Sequence, residues 1–215
     1  PYCYTADNPV VLKDPNGMDW YEVENKETQE KEIKWTDYKS QAEMNENKID
    51  GKYLGEAVVI FKGSKDEKLD EDGKLTGEGA NPANVTIYGI NGPDDINTYN
   101  GMTIPKSNDY STIDEGEYKA FYQDMATSLY GTAGAKAKGI PPAYTYRIKS
   151  LDGTEPKGTR NGKNVTMEGV FLHRTDWNGK ATNSSMGCLI IDGRDWRDVE
   201  KQLKKSSNIF IRITR

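Results

Sequence analysis

The apolar residues of this chain come in short bursts, and that spacing decides most of what it can fold into. Val58-Val59-Ile60-Phe61, Val85-Thr86-Ile87-Tyr88 and Cys188-Leu189-Ile190-Ile191 each have the length of one buried strand. Residues 117–122 and 143–148 mostly alternate polar and apolar side chains, as half-buried strands do. Residues 165–172 lead into His173, and Ile209, Ile211 and Ile213 alternate in a closing strand. One helix is clear. Trp196, Val199 and Leu203 fall at i, i+3 and i+7 on one face, with Asp192 or Gly193 placed to cap it. Short strands broken by Gly and Pro turns, with one late helix, predict a mainly-β sandwich or barrel with a few helices. No run approaches the ~18–20 apolar residues of a membrane helix, so membrane insertion is not expected.

Composition narrows the chemistry. The 215 residues carry 29 Lys+Arg against 34 Asp+Glu, a net charge of −5. That balance argues against a bulk electrostatic grip on DNA or RNA, and no nucleic-acid partner is expected. The hydrophobic fraction is 34% with 13 Tyr counted in it, lean but sufficient for a core. There is one histidine, His173, so a site that needs two or more, such as a zinc finger or zinc protease, cannot be built from this chain alone. No metal or cofactor is expected. The two cysteines, Cys3 and Cys188, allow at most one disulfide.

The chain opens Pro1-Tyr2-Cys3-Tyr4 without Met, basic n-region or apolar h-region, and is expected to be a piece of a larger polypeptide. Asn8-Pro9 and Asp14-Pro15-Asn16-Gly17 are extended and turn chemistry. Tyr-x-Tyr, Asn8-Pro9 and Asp14-Pro15-x-Gly17-Met18 together resemble the closing signature of the RHS repeat-associated core. In that family a variable C-terminal domain, often a toxin, follows the signature. In some members of that family the repeat shell cleaves itself at this signature, and by resemblance Asp14 and the Met18–Asp19 bond are the places involved. Residues 22–34 read as a solvated charged face, and the Gly- and charge-rich residues 62–79 as a linker or exposed hairpin. The predicted organisation is thus 1–20 as the end of the core signature, 21–82 as a small region with a charged linker, and 83–215 as the functional domain.

Two side chains in that last segment can carry chemistry. His173 ends an apolar run, and fifteen residues later comes Cys188, the only cysteine outside the N-terminal tail. Between them lies a polar segment with the turn Asp176-Trp177-Asn178-Gly179. A strand ending in His, a loop, and a strand beginning with Cys can set both side chains at one sheet edge. A thiol with pKa ~8.5 is mostly protonated at neutral pH, and an adjacent imidazole converts it to the nucleophilic thiolate. Gly187 lets the backbone bend sharply and offers N–H groups to a developing oxyanion. Acyl transfer through a thioester is the reaction this pattern supports. Asp176, Asp192 and Asp195 are better explained by turns and caps than as glycosidase carboxylates. Arg194, Arg197 and Lys201 belong to the solvated side of the last helix, while Arg174 is the expected contact for a substrate carboxylate.

His173-x-Thr175 followed by Ser185-Met186-Gly187-Cys188-Leu189 resembles the active-site signature of YkuD-type L,D-transpeptidases. Residues 111–118, Ser-Thr-Ile-Asp-Glu-Gly-Glu-Tyr, are similar to that family's Thr-Pro-x-Gly-x-Tyr/Phe segment, and the helix with Asp195-Trp196 is similar to the one following its cysteine strand. The resemblance implies a β-sandwich-like domain that cleaves or exchanges the L,D-linked end of peptidoglycan stem peptides through an acyl-enzyme. It implies Cys188 as nucleophile, His173 as base, the Gly187–Cys188 backbone as part of the oxyanion hole, and Ser185 as support for the loop. Three positions depart from the family pattern: Arg174 replaces Gly, Met186 replaces the second His, and Ile190 stands where Arg or Asn is common. The expected function is that of a secreted or delivered toxin domain acting on peptidoglycan in the periplasm or cell wall of a competing bacterium, with a cognate immunity protein as partner. The alternatives are a cysteine peptidase or acyltransferase acting on a cytosolic protein, and a YkuD-like binding module without activity.

Overall fold

The computed structural model describes residues 18–105, 107, 109–124, 144–181 and 187–215. The core-like signature through Gly17, with Cys3 and Asp14, lies outside the described residues, as do Ala143, Ser185 and Met186. The chain divides after Gly55 into two compact units, the second being Glu56–Arg215.

The first unit is a three-stranded antiparallel sheet of β1 (Asp19–Glu24), β2 (Lys31–Thr36) and β3 (Lys52–Gly55), in the order β2-β1-β3. A short helix, α1 (Gln41–Glu46), precedes β3; Ser40 caps it by accepting the Glu43 N–H at 3.2 Å. Trp20 of β1 is buried edge-on against Trp35 of β2, with ring centroids 4.6 Å apart. The charged stretch 22–34 runs through this strand pair and is exposed from Glu24 to Glu32, as a solvated face is expected to be. Glu22 is itself buried, 3.1 Å from the Lys31 ammonium.

The second unit is mainly β, and its sheet closes on itself. Its strands are β4 (Ala57–Lys62), β5 (Ala83–Tyr88), β6 (Ile96–Met102), β7 (Thr112–Ile113), β8 (Gly116–Tyr122), β9 (Tyr146–Ser150), β10 (Lys157–Arg160), β11 (Lys163–Thr166), β12 (Phe171–Arg174), β13 (Leu189–Ile191) and β14 (Ile209–Thr214). Eight of them form a closed barrel in the order β12-β13-β6-β5-β4-β14-β8-β9 and back to β12. Of the two expected architectures, the barrel is the one adopted. Most pairs are antiparallel, but β12 runs parallel to β13 and β4 parallel to β14. Inward-facing residues of the barrel strands fill the interior, among them Val59, Phe61, Val85, Ile87, Ile148, Leu172, Leu189, Ile191 and Ile211, with Tyr99 of β6 packed against them. Helix α2 (Trp196–Leu203) packs Trp196, Val199 and Leu203 into the same core, as their spacing predicts. Its N-cap is Asp195, not Asp192 or Gly193. Asp192 is instead buried, accepting the Arg194 backbone N–H at 3.0 Å and pairing with its guanidinium. Strands β11, β10 and β7 make a separate small sheet in that order.

Residues 62–79 are not a linker. Leu75 is fully buried with Met102, Ala181 and Ile190 on the outside of the barrel. The buried Glu67 carboxylate accepts the Thr103 N–H and hydroxyl, both at 2.7 Å, and the Ser64 N–H at 3.2 Å. Lys68 bridges to Asn81 and Lys74 to Lys180. The segment is a strap across the outer face, and the boundary expected at 82/83 moves to 55/56, because β4 is a central barrel strand.

Candidate active site

Strand β12 brings His173 to the barrel wall, and the parallel pairing of β12 with β13 sets its relation to Cys188. Leu172 lies opposite Leu189, His173 opposite Ile190 and Arg174 opposite Ile191. Leu172, Leu189 and Ile191 point into the core. Strand alternation therefore places Phe171, His173 and Ile190 on the outer face, and Cys188, two residues before Ile190, continues that face. From strand spacing and rise, His173 and Cys188 form a diagonal of about 8 Å between Cα atoms, within the range an imidazole and a thiol can bridge. The two predicted chemical residues share one face of one strand pair.

The surroundings of each differ. The His173 Nδ1 is 2.8 Å from the Arg174 carbonyl oxygen. A carbonyl can only accept, so Nδ1 carries the proton and Nε2 holds the lone pair of the neutral ring. The ring is 6% exposed, with Nε2 buried. Cys188 is half-buried with its thiol reduced. Burial pushes that thiol up; a hydrogen bond from the Phe171 backbone N–H and the charge of Arg147 pull against it without cancelling it. In this arrangement Cys188 rests as a thiol, whereas an adjacent imidazole alone predicted a thiolate.

Gly187 takes the sharp bend expected of it, with φ of +103°. A Cβ there would stand 2.5 Å from the Ser111 carbonyl oxygen and 2.7 Å from Met167 Cε. Ser111 immediately precedes β7 and Met167 follows β11, so the small sheet walls the cysteine on this side. The segment 111–118 and the cysteine motif, which meet only through folding, are thus neighbours.

Arg174 is not part of this grouping. It shares the inward register of Ile191 and turns away from His173; its guanidinium stacks 3.9 Å over the Trp177 ring and donates to the Thr175 carbonyl at 2.8 Å. Burial holds its pKa below the usual arginine value. The cation on the cysteine's face is Arg147 of β9, which sequence reading missed. Alternation put Arg147 opposite in face to Tyr146 and Ile148, and nothing local to β9 reveals that β12 and Cys188 lie beside it. Asp176 has the expected turn role, accepting the Asn178 and Lys180 N–H groups at 2.9 and 2.8 Å.

Beside this face, one strand beyond Ile190, lies a cavity of about 390 Å³ whose lining includes Met102, Pro105, Lys180 and strap residues Glu67 to Gly73. Among the described residues no group of three or more His, Cys, Asp and Glu is arranged to hold a metal, and no helix is long and apolar enough to cross a membrane. In comparisons with known proteins, the chain matches no family model, no curated protein and no solved structure.

Proposed function

We propose that the barrel unit is a cysteine-dependent acyl-transfer domain, similar in its chemistry to L,D-transpeptidases, that acts on peptidoglycan stem peptides as a toxin delivered to a competing bacterium. The observation that supports this reading is the register of β12 with β13, which brings the chain's only imidazole and the barrel unit's only thiol to neighbouring strands, two residues apart in level, with Nδ1 of the imidazole tied to a carbonyl. Tethering Nδ1 leaves Nε2 as the proton acceptor, which is the nitrogen a base must offer.

In the proposed reaction the Cys188 proton passes to His173 Nε2 as the sulfur attacks the peptide carbonyl. The tetrahedral intermediate collapses with cleavage of the C–N bond, and the departing amine takes the proton back from His173. Water or a second amine then attacks the thioester, again with His173 accepting its proton, and regenerates the thiol. The backbone at Gly187–Cys188 is the proposed oxyanion contact, held in place by the left-handed bend and the Ser111 and Met167 contacts. Ser185 keeps its proposed role of supporting the loop by resemblance alone.

A second reading, an inactive binding module, is favoured by one observation: burial raises the Cys188 thiol rather than lowering it. Isolated peptidoglycan separates the two. The expected result is release of D-alanine or altered muropeptides with the wild-type chain, lost in C188A and H173Q. Identical muropeptide profiles for wild type and C188A refute the enzymatic reading. Toxicity confined to periplasm-targeted expression supports the wall as target, whereas toxicity in the cytosol points to a protein substrate.

A further inference from the structure

We infer that Arg147, gripped by Glu155, is a positioning residue for Cys188: it lies across Phe171 in the row of residues leading to the sulfur and supplies the counter-charge for the attacking thiolate. The inference rests on the proposed acyl-transfer chemistry for its purpose, but it concerns a property of the thiol that is measurable without substrate.

The geometry is a row across adjoining strands. Arg147 of β9 is in register with Phe171 of β12, and Phe171 is one step before the Leu172–Leu189 pair, hence level with Cys188. The Arg147 guanidinium carbon sits 5.3 Å from the centre of the Phe171 ring, so the side chain extends over Phe171 instead of lying along its own strand. Its Nη2 donates to both Glu155 carboxylate oxygens, at 2.8 and 2.9 Å, and the Lys149 ammonium bonds the same carboxylate. Burial raises the Glu155 carboxyl, but the Lys149 and Arg147 bonds outweigh it and hold it below the usual carboxylate range. The cluster is therefore two cations on one anion, with one positive charge in excess.

That excess sits where it matters. The Arg147 and Glu155 side chains are only 13% and 24% exposed, so solvent screens them less than a surface pair. Among the described residues the charged group that acts on the sulfur is Arg147 of β9; Glu155, from the β9–β10 connection, and Lys149 join through the carboxylate that Arg147 and Lys149 share, and His173 of β12 is the titratable residue of the neighbouring strand. Ser111 and Met167, which wall the cysteine at Gly187, do not titrate. Burial penalises the thiolate. His173 can take the proton usefully only if the negative sulfur left behind is stabilised, and the Phe171 N–H and the Arg147 charge are what oppose that penalty. Glu155 then has a second role: it fixes Arg147 in place while muting its charge.

The test is the pH dependence of Cys188 alkylation by iodoacetamide, in full-length chains carrying Cys3→Ser so that Cys188 is the sole thiol. The rate profile of R147M is expected to move to higher pH, with several-fold slower alkylation at neutral pH, and R147K is expected to recover part of it. E155Q removes the muting anion and is expected to move the profile the other way. Thermal melts identify any variant that has lost its fold, and R147K and E155Q keep the test decisive if R147M has. Coincident profiles for R147M and its parent, or an E155Q profile that does not move at all, overturn the inference. Shifts as expected without any action on peptidoglycan leave the inference standing and remove the wall reading. Cysteine-dependent wall cleavage with unmoved profiles removes the inference alone.

Discussion

Replacing Gly187 by Ala imposes two separable costs. The first is conformational: at φ +103° an L-residue is strained whatever the space around it, at roughly 1–3 kcal/mol. The second is steric. Of the two atoms the new methyl would meet, Met167 Cε is the end of a flexible side chain and can swing away from its 2.7 Å contact. The Ser111 carbonyl at 2.5 Å is backbone next to β7 and cannot move without disturbing the small sheet. Overpacking of this kind costs about 1–3 kcal/mol. Partial relaxation of the bend relieves both, so a total of about 2–5 kcal/mol is expected, a large share of the ~5–15 kcal/mol that holds a domain folded. Gly162 provides the control, because its φ is +72° and a Cβ there meets nothing within 4 Å. Urea unfolding followed by tryptophan fluorescence should show G162A losing about 1–2 kcal/mol, from backbone alone, and G187A losing clearly more at an unchanged slope. On the proposed chemistry, release of D-alanine should also fall with G187A, since Cys188 is its immediate neighbour. If G187A unfolds at the same urea concentration as G162A, the Ser111 contact does not hold the cysteine loop and the reasoning fails.

Other expectations concern the strap and the buried acid of the helix entry. E67A strips the acceptor from the Thr103 N–H and hydroxyl and from the Ser64 N–H, and should lower stability by about 2–4 kcal/mol, at about 1–3 kcal/mol per buried donor left unpaired; an unchanged urea midpoint would mean the strap is not anchored there. At Asp192 burial acts to raise the carboxyl, but the hydrogen bonds and charge of Arg194 outweigh it, leaving the folded-state pKa below its unfolded value. A group depressed in this way stabilises above the unfolded pKa of about 4 and loses that contribution as pH falls through the folded value. Melting temperature from about pH 5 down to about pH 2 should therefore fall more steeply in the wild type than in D192N, and parallel curves would contradict the assignment.

The strands that could be read from sequence were those whose apolar residues are contiguous or largely alternating: β4, β5, β8, β9, β13 and β14, with β12 as the strand that carries His173. The helix was legible for the same reason, since Trp196, Val199 and Leu203 bury on one face. Strands β1 and β2 were not, because their alternation pairs tryptophans with Lys and Glu and reads as a charge run. The strap was mistaken for a linker because its one fully buried anchor, Leu75, is isolated among acids, and a buried carboxylate such as Glu67 looks like surface until its donors are known. At the candidate site, the approach of the His173 and Cys188 strands and the bend at Gly187 were legible through residue type and spacing. Arg147 was not, since it joins them only through the β9–β12 pairing, and Arg174 was misplaced because adjacency to His173 in a strand means the opposite face.

The position of β14 has a consequence for how the molecule is made. It is inserted between β4 and β8, so the first and last strands of the barrel in sequence lie side by side. On the ribosome the preceding seven barrel strands can emerge and pair, but the seam between β4 and β8 stays open until residues 209–214 have left the exit tunnel. Closure of the barrel therefore waits for β14, and a nascent chain stalled before that strand would hold its histidine and cysteine on an unclosed sheet.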